Sequence, residues 1–372
     1  MGVHKQGLTI NEQSFIYQCT SLRKKEGNMN PLTSRDTSAR NSRLKGKVAL
    51  VAGATRGAGR GIAIALGEAG ATVYCSGRST RQRQRRRSRP AKKRVPNVYA
   101  GRPETIEETA EMVTARGGKG IPEVVDHLEA KQVEKLIARI QKEQGKLHVL
   151  VNDISEGGLH EFGKAFWQVD IGRGLEMLRN GIHTHIITNR YAAPLMIETA
   201  KSEGSTGLIV EVGDGDSFTY RGNLFFDLVK TTVIRLAFAM GWELRRKNVA
   251  ALAITPGFLR SEMMLDHLGV TEANWRDAGR KDPNFLESET PLYVGRAIAA
   301  LAADENLMKK SSRAFSSWGL SEEYEFADAD GSRPHWGRHA RKKFGDCMKS
   351  CDAKFYQYWF GGVIEKLFPN WP

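Results

Sequence analysis

The stretch VALVAGATRGAGRGIA, residues 48–63, constrains the fold of this chain more than any other. Its first five residues are an apolar run of buried-strand length, and over residues 59–70 alanine and isoleucine recur at helical spacing. Between the two stand Gly53, Gly57 and Gly59. A residue without a side chain lets the backbone turn tightly, lets amide N–H groups approach an anion and lets helix pack close to strand. The N-terminus of the helix that follows favours negative charge. Residues 71–76 then read as another strand. Strand, glycine turn, helix and strand in that order open a doubly wound α/β domain with a parallel sheet, Rossmann-like, that takes a dinucleotide pyrophosphate at the turn.

The alternation continues. Helix signals cover residues 103–116, 130–144, 171–202 and 225–246, and strand signals end near Asp126 and cover residues 147–152, 207–213 and 250–255. Strands alternating with helices need crossover connections, which place helices on both faces of the sheet. This predicts one domain over residues 44–330, preceded by a polar basic tail (1–43), interrupted by an arginine-rich insertion (79–98) and followed by an aromatic C-terminal extension (331–372).

A net charge of +14 would ordinarily suggest a nucleic-acid partner. Its distribution argues otherwise. Residues 1–47 hold nine basic residues against three acidic ones, and residues 81–94 hold nine basic residues and no acid, which leaves the rest of the chain close to neutral. No aromatics interleave with the insertion's arginines to stack on bases, so it is expected to be a surface loop and nucleic acid is not the expected partner. Four scattered cysteines, among them Cys347 and Cys351, do not make a disulfide framework, and a reducing compartment is expected. No apolar run is long enough to cross a bilayer, and no secretory leader is evident, so a cytoplasmic protein without membrane contact is expected. The histidines show no metal-ligand spacing, and no metal is expected.

The cofactor is selected at the end of the second strand. A carboxylate there would accept from the adenosine ribose hydroxyls of NAD, but the chain reads YCSGRST. Arg78, with Arg56 in the glycine turn, offers guanidinium groups for a 2′-phosphate, so NADP(H) is the expected cofactor.

These residues resemble the short-chain dehydrogenase/reductase family, whose turn has the Gly-x-x-x-Gly-x-Gly spacing of Gly53, Gly57 and Gly59, although Ala52 stands where Thr is usual. Further landmarks follow in order over residues 44–301: Asp126-His127 after the third strand, VNDIS from Val151, and PGFLRS from Pro256. The resemblance implies hydride transfer between a nicotinamide and a carbonyl or alcohol carbon of a small molecule, and a homo-oligomer. It places Asp126 beside adenine, and Asn152, Lys230 and Ser261 around the nicotinamide ribose and amide.

The family moves the proton with a Tyr hydroxyl whose pKa is lowered by a Lys four residues later on the same helix face. Here that Lys is Lys230 and the Tyr position is Phe226. Gly213, followed by Asp214, stands where the family's Ser polarises the carbonyl, and the helix Asn of its proton relay falls near Gly181, one residue from Asn180. Tyr220, Ser217 and Asp214 are nearby in sequence; Tyr220 would replace the lost phenol only if its loop folds back, and since it lies outside the helix that fixes the geometry it is expected to be an ordinary loop residue. Two readings therefore stand: an oxidoreductase whose chemistry is impaired or rerouted by Phe226, and a catalytically inactive NADP(H)-binding protein with a structural or sensing role.

Overall fold

The computed structural model describes residues 43–83, 101–157, 161, 163–215 and 220–344. The tail up to residue 42, most of the arginine-rich insertion, His160, Ser217, and the cysteines and aromatics beyond residue 344 lie outside them.

Seven parallel strands form one sheet in the order β3-β2-β1-β4-β5-β6-β7. They are β1 (Val48–Ala52), β2 (Thr72–Gly77), β3 (Lys119–Val124), β4 (Val149–Asn152), β5 (Gly207–Val212), β6 (Val249–Thr255) and β7 (Ala314–Ser316). Central strands are mostly apolar because both faces are covered, with Asn152 and Glu211 as buried exceptions near the ends of β4 and β5. Alternate residues go to opposite sides: Val51, Val73, Val151, Val210 and Leu252 pack under α1 (Gly57–Glu68) and a helix at Pro291–Ala302, whereas Leu50, Tyr74, Leu150, Ile209 and Ala251 pack under α3 (Ala130–Gln144) and a helix at Thr184–Glu203. The connection between β2 and β3 carries α2 (Ile106–Ala115), started by Thr105, whose side chain accepts from the Glu108 amide.

The long helical region expected over residues 171–202 is α4 (Ile171–Leu178) and α5 (Thr184–Glu203), joined by a π-helical turn over Arg179–His183. Helix α6 (Leu224–Leu244) begins at Asn223, whose side chain accepts from the Phe226 amide. The remaining helices are α7 (Glu262–Leu268), α8 (Pro291–Ala302), α9 (Ser317–Tyr324) and α10 (Trp336–Phe344). The start of the C-terminal extension is part of the body: Trp336 and Ala340 are buried against Phe258, Phe285 and Trp318. Arg81, at the edge of the insertion, is held by both oxygens of Glu111 on α2.

The chain reverses direction across the sheet between β1 and β4, and the crevice at the carboxyl ends of these strands is where such sheets bind ligands. The glycine turn, the VNDIS segment and the start of α6 converge there.

Candidate active site

The glycine turn is shaped by two contacts that only glycine tolerates. Gly53 has φ +95°, and a Cβ on it would run into the carbonyl of Asp153; a Cβ on Gly59 would strike the carbonyl of Gly53. Gly57, with φ +56°, faces open space, and the first atom a Cβ would meet is Ser261 Cβ at 3.9 Å. Residue Ser261, on the loop after β6, is thereby brought beside the turn.

The Gly57 amide donates to the Glu262 carboxylate at 2.8 Å, so this N–H already takes an anionic oxygen. That fits a dinucleotide pyrophosphate: the turn leaves room and presents an anion-seeking amide at the start of α1.

Arg78 lies just past the end of β2 with its guanidinium 3.6 Å from Asp126. Arg56 donates to Glu104 at 3.0 Å, and Arg102 grips the same carboxylate at 2.7 Å. Burial alone would raise the pKa of Glu104, but its bonds to Arg102 and Arg56 hold it below the usual carboxylate range.

Asn152 ends β4 fully buried, and its amide donates to Asn189 at 3.0 Å and Glu211 at 2.8 Å. Glu211 is a carboxylate in an otherwise apolar strand. It accepts from Asn189 at 2.6 Å and pairs with His185 at 2.5 Å. The second ring nitrogen of His185 meets the Ile154 carbonyl at 3.2 Å. Burial is the largest influence and opposes the imidazolium, but the Glu211 charge and the hydrogen bonds to Glu211 and the Ile154 carbonyl together raise the His185 pKa. A parallel chain runs from Ser76 to His127 at 2.9 Å and on to Thr188 at 2.8 Å, with His127 pushed down to about 3 by burial. The bonds of Asn152 to Asn189 and Glu211, and of His185 to the Ile154 carbonyl, anchor the VNDIS segment. The sequence reading missed this scaffold, although a lone acid inside GLIVEV was the available signal.

Lys230 sits on the inner face of α6. Its ammonium lies 3.1 Å from the buried Glu156 carboxylate and 5.4 Å from the centroid of the Phe226 ring, one helical turn earlier. Burial works against the charge, but Glu156, Asp214 and Asp153 outweigh it and the Lys230 pKa is raised. Burial pushes the Asp153 carboxyl up to about 7, against the pull of the Lys230 ammonium and the Gly59 amide. Phe226 is buried with Phe225 and Met177. A side chain at Gly213 would meet Val233 of α6 at 3.2 Å, so that position faces the packed helix, while the next residue, Asp214, is the one whose charge reaches Lys230. Tyr220 is half exposed on the loop before α6, and burial followed by the Asp227 charge raises its phenol.

A doubly wound sheet with a glycine turn at its switch point, and a buried lysine paired with Glu156 in the segment after β4, defines a dinucleotide-binding domain. The family described as short chain dehydrogenase matches residues 91–268, a stretch that holds Asn152, Lys230 and Ser261 but not the glycine turn. Dehydrogenase/reductase SDR family member 1 of Mus musculus is 31% identical over 293 residues, 77% of this chain and 85% of that protein. Its Homo sapiens counterpart is 29% identical over the same shares. A short chain dehydrogenase structure from Mycobacterium thermoresistibile has the same fold, with a TM-score of 0.61 at 18% identity over 79% of this chain and 92% of that one. The chain belongs to the short-chain dehydrogenase/reductase family of oxidoreductases, which use nicotinamide dinucleotides. Among the described residues no helix is long and apolar enough to cross a membrane.

Proposed function

We propose that this protein is an NADP(H)-dependent oxidoreductase that transfers hydride to or from a carbonyl or alcohol carbon of a small molecule. The observation that carries the reading is the pairing of an anion-accepting glycine turn with a buried lysine across the switch point of the sheet. The dinucleotide, when bound, supplies or accepts the hydride. Gly53, Gly57 and Gly59 would line its pyrophosphate, Lys230 and Ser261 its nicotinamide half, and Asp126 its adenine. NADP(H) is preferred because Arg78, more than half exposed beside the ribose site, can turn from its 3.6 Å contact with Asp126 to a 2′-phosphate. Arg56 is engaged by Glu104, which Arg102 also holds. A cytoplasmic homo-oligomer belongs to the same proposal, with the apolar groove between Ile186 and Pro194 on α5 and Leu236 and Met240 on α6 as its interface.

Phe226 favours a second reading, an NADP(H)-binding protein that has lost hydride transfer. A phenyl ring has no proton to give, and general acid–base catalysis is worth about 10²- to 10⁴-fold in rate. Calorimetric titration with NADPH and NADH, beside turnover of a carbonyl panel, separates the readings. Tight NADPH binding with turnover supports the oxidoreductase. Binding with turnover only in Phe226→Tyr supports the inactive protein, and absence of nicotinamide binding rejects both. Arg78→Ala should weaken NADPH by roughly tenfold while leaving NADH nearly unchanged, as expected for a charge-assisted bond to the extra phosphate.

A further inference from the structure

The π-helical turn between α4 and α5 puts Gly181 directly under the VNDIS segment. A Cβ at Gly181 would lie 3.2 Å from Glu156 Cβ and 2.5 Å from Val229 Cγ1, so any larger residue there would collide with Glu156 or with α6. Glu156, only 4% exposed, uses this room to reach Lys230 at 3.1 Å. The family resemblance expects a relay amide near residue 181. Position 181 itself is a glycine, with the Asn180 amide turned toward Gly157, and opposite the glycine stands a carboxylate on the lysine.

We infer that Glu156 is a positioning residue for Lys230, holding its ammonium in place and returning protons to it, so that the pair takes over the proton handling left without a phenol at residue 226. The inference rests on the oxidoreductase reading above. In the reducing direction a hydride given up by bound NADPH, whose dihydronicotinamide C–H bond would break as it is oxidised to NADP+, would form the new C–H bond while the C=O π electrons move to oxygen. That oxygen takes a proton from Lys230 Nζ, which leaves a neutral amine beside the Glu156 carboxylate. Solvent then restores the proton through Glu156. The other charged groups facing the pair are Asp153 after β4, Asp214 after β5 and His185 on α5. None of them replaces Glu156, because only Glu156 stands within ion-pair distance of Nζ among the described residues.

The test uses the full chain with Glu156→Gln, and Glu156→Asp as the variant that keeps the charge. Two readouts are taken: the titration of Lys230 by NMR of its side chain, and carbonyl reduction with NADPH as a function of pH. The Gln variant should lower the Lys230 midpoint by about one unit or more and reduce kcat by roughly 10²-fold, with KM for NADPH changed by less than about threefold. The alkaline limb of its rate profile should move down with the midpoint. The Asp variant should keep the high midpoint and recover part of kcat. A Lys230 midpoint unmoved by Glu156→Gln overturns the positioning role, and a moved midpoint with unchanged kcat overturns the proton-handling role while leaving the oxidoreductase reading intact. No turnover in the unmodified protein overturns the oxidoreductase reading and the proton-handling role with it, and the Lys230 titration still decides the positioning role.

Discussion

The Gly57 amide and the Glu262 carboxylate meet at 2.8 Å, across the mouth of the dinucleotide turn and between residues 205 positions apart in sequence. Arg60, one turn into α1, stands 3.6 Å from the other Glu262 oxygen. The start of α1 is therefore already neutralised by a side chain of the segment that follows β6.

A pyrophosphate arriving at this turn competes with Glu262 for the same amide. Glu262→Gln should tighten NADPH binding by roughly three- to tenfold, because a neutral amide is a weaker rival for the helix N-terminus. Titration calorimetry at low salt checks it; weaker binding in the variant would show that Glu262 supports the cofactor instead.

Helices α1 and α8 cross where neither has a side chain. A Cβ on Gly61 would strike the carbonyl of Pro291, and one on Gly295 would lie 2.6 Å from the Gly61 carbonyl. Gly61→Ala should cost about 1–3 kcal/mol of stability by overpacking, in spite of alanine's better helix propensity. Urea denaturation measures this, and a gain in stability would mean that the helices part without cost.

Glu289 is buried between the PGFLRS loop and α9. One carboxylate oxygen accepts from Gly257 at 2.9 Å and from Ser317 at 2.6 Å, and among the described residues the other has no hydrogen-bond partner. Burial pushes its carboxyl up to about 8, while these two bonds pull the other way. The folded state thus binds this proton more tightly than the unfolded state. Its contribution to stability is full below the ordinary carboxylate range and is lost as pH rises through about 8. Asp153, raised to about 7, acts in the same direction. Glu289→Gln should be more stable than the parent at alkaline pH and should flatten the profile. Denaturation at about pH 5 and about pH 9 tests it; a parent protein that gains stability over this interval would contradict the assignment.

Much of the glycine turn and of the elements around it was legible in the sequence because it depends on local chemistry. Gly53, Gly57 and Gly59 announce a turn whose backbone demands glycine, and Arg78 stands one residue past a strand whose end could be read from its apolar run. The helix placing Phe226 and Lys230 one turn apart was equally visible, since residues i and i+4 share a face whatever surrounds them. Element boundaries moved by one to three residues where caps decide them, as at Thr105 and Asn223.

The sequence by itself determined the alternation of strands and helices, the glycine turn and the one-turn spacing of Phe226 and Lys230, because each follows from periodicity or backbone conformation within a short window. Tertiary structure alone decided which charges meet. Glu156 reaches Lys230, Glu262 reaches Gly57, and Glu211 reaches His185 across gaps of 74, 205 and 26 residues. Electrostatic partners are chosen by distance and burial in space, and neither quantity is written in the order of the chain.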